Sequence, residues 1–94
     1  MRITHCLWKK QFIEKLEQKH GVLQDEVEEV FHNRPRYKSI AKGIVKGENL
    51  YRALGQSDAG RYLTVFFVDK RAGKALVISA RDMDAKERRQ YGKK

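Results

Sequence analysis

Ninety-four residues, 40% hydrophobic and 35% charged with a formal net charge of +9, suit one small globular domain with one modest core. The single cysteine, Cys6, excludes an intrachain disulfide and a cysteine metal cluster and reads as a small, partly buried apolar residue. No apolar run approaches membrane-spanning length, LTVFFV being too short, and MRITHCLWKK lacks the long apolar stretch of a signal peptide, so the cytoplasm is the expected compartment and no membrane is expected.

Ile3, His5 and Leu7 alternate with Arg2, Thr4 and Cys6, the pattern of a short strand or of an extended lead-in ending at Trp8. From Lys9 to Lys19 the period becomes helical, with Phe12, Ile13 and Leu16 on one face and Gly21 as the C-cap. Leu23, Val27, Val30 and Phe31 repeat at i, i+4, i+7 and i+8 and predict a second helix. Asp25 and Glu26 fall in its favoured first turn, and Pro35 forbids continuation past His32-Asn33. The short link between the two predicts a helical hairpin.

Four strands are predicted next: Arg36 to Ala41, the weakest, then Asn49 to Leu54, Arg61 to Asp69 and Lys74 to Ala80. RYLTVFFVD is apolar on both faces, the mark of a central strand. Gly55 and Gly60 bracket one turn, Gly73 closes another, and the short connections predict an antiparallel meander. Asp84 then caps a last helix, with Glu87 three residues on as in a capping box. That helix runs to about Tyr91 and stops at Gly92, with Lys93 and Lys94 favouring its C-terminal dipole. The fold class is α+β: two N-terminal helices, a four-stranded antiparallel sheet, a short extra N-terminal strand as the weaker addition, and a C-terminal helix.

Charge is unevenly spread. Residues 23–33 carry four acids and no Lys or Arg; residues 34–52 carry six bases and one acid, Glu48; residues 81–94 carry six bases and three acids. This asymmetry suits a polyanion such as nucleic acid, although a basic, merely soluble surface has the same composition.

The succession KHGV (19–22), EEVF (28–31), GENLYRALG (47–55), GRYL (60–63), ISARDM (78–83) and ERRQY (87–91) resembles the BrnT family, from about Trp8 to Tyr91. These are toxins of bacterial toxin–antitoxin pairs, related in fold to the RelE-like ribonucleases. The resemblance implies a small antiparallel sheet with packed helices, and cleavage of RNA, free or as ribosome-associated mRNA, that halts translation. It also implies a ribbon-helix-helix antitoxin partner, and operator DNA contacted only through that antitoxin. No cofactor and no metal are implied.

Such a ribonuclease needs a base for the 2′-OH, cations for the phosphorane and an acid for the leaving 5′-oxygen. RelE-like enzymes supply these with Arg, Lys and Tyr. Arg52 and Arg81, on neighbouring-looking segments, are the expected phosphate clamp, since the guanidinium fork matches phosphate; without the resemblance each reads equally as a solvent-facing arginine at a strand end. His20 is the candidate acid or base, histidine being the side chain that exchanges protons near neutrality, or it caps a helix end. Glu48 is a second candidate base or a surface ion-pair partner. Lys19, Arg61, Arg88 and Tyr91 are candidate RNA contacts. For Lys19 the alternative is a helix-dipole role. For Tyr91, at i+3 from Arg88 on the same helix face, it is packing on the sheet. A non-catalytic basic module that binds RNA or protein, or an inactive toxin relic, is the alternative to the enzyme.

Overall fold

Two helical segments lie on one face of a mixed five-stranded sheet, and a third closes one end of the other face. The computed structural model describes residues 1–43 and 47–92. Its elements are β1 (His5–Leu7), α1 (Lys10–Lys15) continued by a π-helical stretch (Leu16–His20), α2 (Gln24–His32), β2 (Arg36–Ala41), β3 (Leu50–Gln56), β4 (Tyr62–Asp69), β5 (Lys74–Asp82) and α3 (Ala85–Gly92). Lys46, Lys93 and Lys94, counted above among the basic residues, lie outside the described residues.

The strand order is β1-β5-β4-β3-β2, so β2 to β5 form the predicted antiparallel meander with β4 at its centre. The lead-in adds a fifth strand that runs parallel to β5. Its hold is the Gly73 carbonyl, which accepts the Thr4 and His5 N–H groups at 2.8 and 3.1 Å. A pairing this remote in sequence is what local alternation alone cannot reveal.

The helical predictions need two adjustments. The first helix is not one α-helix from Lys9 to Lys19: after Lys15 it widens into the π-helical stretch, which Gly21 ends at φ 61°. The Gly21 and Val22 N–H groups close back on the carbonyls of Glu17 and Leu16. In α2, Val27, Val30 and Phe31 are buried as the period requires. Leu23 is instead the extended N-cap and stays exposed, while its N–H donates to Glu26.

Alternation along the strands then sorts the side chains. Ala53, Val65, Phe67, Val77 and Ala80 face α1 and α2 and are fully buried. Phe67 sits edge-on to Phe31 at 5.2 Å and to Tyr37 at 5.9 Å. The opposite face presents Arg52, Leu54, Thr64, Phe66, Ser79 and Arg81. That face, and the end of it under α3, carries the two arginines expected as the phosphate clamp.

The approach of α2 to β3 is set by Gly55. A Cβ there would lie 2.9 Å from Val30 Cγ1 and 3.1 Å from Pro35 Cβ. Gly55→Ala is therefore expected to cost about 1–3 kcal/mol by overpacking. The measurement is the urea midpoint, which falls at constant slope. A midpoint equal to the parent's would mean that α2 gives way without penalty.

Candidate active site

Glu87 gathers the open face. The predicted capping box forms: Asp84 Oδ1 accepts the Glu87 N–H at 2.8 Å, and Glu87 Oε1 accepts the Asp84 N–H at 2.9 Å. This bends the carboxylate back over the strands. Arg81 grips it with both terminal nitrogens, Nη1 to Oε1 at 2.7 Å and Nη2 to Oε2 at 2.8 Å, and Thr64 Oγ1 donates to Oε1 at 2.9 Å. Arg52 Nη1 stands 3.9 Å from Oε2, and its Nη2 donates to Gln90 Oε1 at 3.1 Å. The two arginines meet across β4, one from β3 and one from β5, rather than from neighbouring segments.

Only 5% of Glu87 is exposed. Burial alone would push its carboxyl up, but the hydrogen bonds from Arg81, the Asp84 N–H and Thr64 override it and hold it down at about 2. Reciprocally, the bond to Glu87 raises Arg81 against the opposing effect of burial. Two guanidinium charges against one carboxylate leave the cluster one unit positive, and Lys38 lies beside Arg52 on the same face.

The donors left over define what the cluster can do. Arginine has five N–H groups in a rigid fork. Arg81 spends three: two on Glu87, and one on the Asp82 carbonyl at 3.1 Å. Its Nε–H and the second Nη2–H lie on one edge of the guanidinium and have no partner among the described residues. That edge is a second fork on a side chain that is a third exposed, with Phe66 5.5 Å from the cation. Arg52 is also short of an acceptor, because its Nε is buried without a hydrogen bond. Unmet buried donors of this kind are rare in folded proteins.

Arg61 is the opposite case. Its guanidinium bonds Asp82 through Nε at 2.8 Å and Nη2 at 3.2 Å, Glu26 through Nη1 at 3.1 Å, and the Gly21 and His20 carbonyls at 2.9 and 3.2 Å. All five donors are engaged. Arg61 ties the head of β4 to the π-helical stretch, α2 and the end of β5, and has nothing left for a phosphate. The bond to Arg61 outweighs burial and holds the Asp82 carboxyl below its ordinary value, with positive charge on His20 helping.

His20 thus lies at the same end of the sheet as Arg81, next to Asp82, with exposed Lys19 beside it; among the described residues neither side chain bonds the clamp. Glu48 pairs with Lys70 at the far end of β3 and β4. It is four residues from Arg52, roughly 10 Å or more along an extended chain, so the structure does not bring it to the cluster. Arg88 and Tyr91 do share a face, but they turn to Tyr62: the Arg88 guanidinium stacks 3.9 Å above its ring, and Tyr91 meets it edge-on at 6.0 Å while its hydroxyl donates to Gln56 at 3.4 Å. Cys6 is held protonated, burial and then nearby Glu28 raising its thiol to about 12. Among the described residues no three His, Cys, Asp or Glu side chains come together as a metal site, and no helix is long and apolar enough to cross a membrane.

Thr64, Glu87 and Gln90 are the participants that the sequence does not single out. The capping-box reading of Glu87 is correct and conceals its second role. The available clue is that a capping glutamate must point back toward the residues before the helix, where Arg81 lies six positions away.

The fold is that of a small α+β protein with two guanidiniums converging on one carboxylate on the sheet face under α3. The family model of the ribonuclease toxin BrnT of type II toxin–antitoxin systems matches residues 8–87, and the chain belongs to that family. Membership implies a protein antitoxin and an RNA substrate. The structure also matches the crystal structure of the Brucella abortus ribonuclease toxin BrnT with a TM-score of 0.59, covering 86% of this chain and 97% of that one. At 18% identity this likeness shows a common fold. Comparison with curated proteins gives no match.

Because the folded Glu87 carboxyl lies at about 2 against an ordinary 4.5, its contribution to stability is complete above pH 4.5 and is lost as the pH falls toward 2. Glu87→Gln is expected to be less stable at neutral pH by on the order of 3 kcal/mol, since two arginines lose their counter-charge. Its urea midpoint should also vary less with pH across that window. A variant whose midpoint falls with acid as steeply as the parent's would assign the acid lability to other carboxylates.

Proposed function

We propose that this chain arrests translation in the cytoplasm by metal-independent cleavage of RNA, with the scissile phosphate seated on the open edge of Arg81 and against Arg52. The observation that carries the proposal is the unspent fork of Arg81, pinned from its other edge by Glu87. Cleavage by 2′-OH attack forms the P–O2′ bond and breaks the P–O5′ bond, leaving a 2′,3′-cyclic phosphate and a 5′-hydroxyl. One more unit of negative charge gathers on the phosphorane oxygens on the way, and a preorganised cation there lowers the barrier. The site supplies this service as guanidinium charge, and its carboxylate is already saturated with cations and hydrogen bonds.

The proton steps fall to His20 in this proposal, as acid or base, because it borders the same end of the sheet. Lys19 beside it contributes charge. Glu48 has no part, being held by Lys70, and Arg61 acts by positioning the His20 turn. The partner is a ribbon-helix-helix antitoxin that silences the clamp and carries the complex to operator DNA.

A non-catalytic module is favoured by one observation: among the described residues, no hydrogen-bonded acid–base pair adjoins the clamp, and the cluster already holds a carboxylate. Purified protein in excess chelator, incubated with RNA, separates the two. We expect fragments ending in cyclic phosphate. Arg81→Ala is expected to cut the rate by about 10²–10³-fold. Arg61→Ala is expected to lower the unfolding midpoint and, in folded molecules, to slow cleavage less than Arg81→Ala does, through the His20 turn it positions, with RNA affinity unchanged. Intact RNA with folded parent protein would leave the binding module, and an Arg81→Ala variant as active as the parent would remove Arg81 from the site.

A further inference from the structure

Beyond the clamp, α3 and the α2–β2 turn enclose a cleft lined by Arg34, Arg36, Gln56, Tyr62, Arg88 and Tyr91, with Gly92 at its end. No acidic side chain lines it. It adjoins the clamp through one residue: Gln90 accepts Arg52 on its side chain at 3.1 Å and Arg36 on its carbonyl at 2.8 Å.

The three arginines differ in what they are doing. Arg36 caps the end of α3 through the Gln90 carbonyl, favourably placed for the helix dipole. Arg88 stands over the Tyr62 ring, exposed, with no hydrogen bond from its guanidinium among the described residues. Arg34 is exposed, equally without a partner there, and adopts φ 54° directly before a proline. A left-handed backbone is unfavourable for arginine and more so ahead of proline, where extended conformations are preferred. The surroundings impose it nonetheless. Asn33 Nδ2 donates to the Gln56 carbonyl at 3.0 Å and to Asp58 at 2.9 Å, and Pro35 is packed against Gly55. Glycine would suit this turn better, yet an arginine stands there and lines the cleft. Strained residues fixed by their neighbours cluster at ligand sites.

We propose that this cleft is a second phosphate subsite for the RNA strand, with Arg34 as its principal cation and Arg88, backed by Tyr62, as a further phosphate contact beside which the adjoining base stacks. The proposal rests on the reading of this chain as an RNA-cleaving protein and extends it: the strand passes from Arg81 over Gln90 into the cleft. Single-stranded RNA is held in this way elsewhere, by cations along the backbone and by aromatic or guanidinium planes under the bases. The strand gains affinity at a point remote from the bond broken, so the cleft governs binding rather than the chemical step.

The test uses a short 2′-O-methyl oligoribonucleotide of mixed sequence, which lacks the attacking hydroxyl, with fluorescence anisotropy read across a series of salt concentrations. Arg34→Gly and Arg88→Gln are each expected to reduce the slope of log affinity against log salt by about 0.7, the loss of one phosphate contact. Arg89→Gln, an exposed position outside the cleft, is expected to leave the slope unchanged. Arg34→Gly is also expected to unfold no earlier than the parent, because glycine accepts the left-handed turn. Unchanged slopes in Arg34→Gly and Arg88→Gln, or an equal loss in Arg89→Gln, would overturn the subsite. So would a polyglutamate peptide that displaces the oligonucleotide and binds with the same dependence on Arg34. Cleavable RNA distinguishes the two levels. Cleavage by the parent with KM unmoved in both cleft variants removes the subsite and spares the ribonuclease. Altered slopes with no cleavage by the parent keep the subsite and remove the ribonuclease.

Discussion

The carboxylate of Glu87 is the constraint on which this end of the molecule depends. Helix α3 has eight residues and buries only Glu87, so neither its length nor an apolar stripe holds it in place. What holds it is the charge-assisted contact with Arg81, the Thr64 hydroxyl, the capping box with Asp84 and, at its far end, Arg36. A carboxylate taken this far out of water is unfavourable unless every oxygen finds donors. Here strands β4 and β5 and the helix's own first turn supply them, and β3 approaches with Arg52. The helix, the clamp and the cleft behind it therefore stand or fall together.

That dependence gives the ion cluster a structural role and suits it to the chemical role proposed for it. Gripping Glu87 fixes one edge of Arg81 and leaves the other edge without a partner among the described residues, which suits a cation that must be in place before charge develops. Arg61, at the head of β4, shows that arginine charge by itself predicts nothing of the kind. Its donors are all spent on Asp82, Glu26 and two carbonyls. The distinction between a fastening arginine and a receiving one lies in the count of unmet donors.

Much of the architecture is written in local patterns. Two-sided apolarity in RYLTVFFVD marks the central strand, the helical period of Val27, Val30 and Phe31 marks the face of α2, and Asp84 with Glu87 marks the start of α3. What escapes is long-range. The parallel pairing of β1 depends on Gly73, almost seventy residues away, and the π-helical widening after Lys15 has no local breaker to announce it. At the site, the family motifs point to Arg52 and Arg81, but spacing does not say that they flank β4, that Glu48 is held at the far end by Lys70, or that Glu87 lies between the arginines. A residue with an adequate local explanation hides a tertiary one, and Glu87 is the instance here.

The central claim is that Arg81 and Arg52, positioned by Glu87, receive an RNA phosphate. The most direct measurement is an NMR titration of protein labelled at the arginine side-chain nitrogens with a 2′-deoxy-substituted RNA that cannot be cleaved. The Arg81 Nε resonance is expected to move most, Arg52 to follow with the same dissociation constant, and Arg61 to stay still. An RNA that binds while the Arg52 and Arg81 signals remain in place would contradict it and move the site elsewhere on the surface.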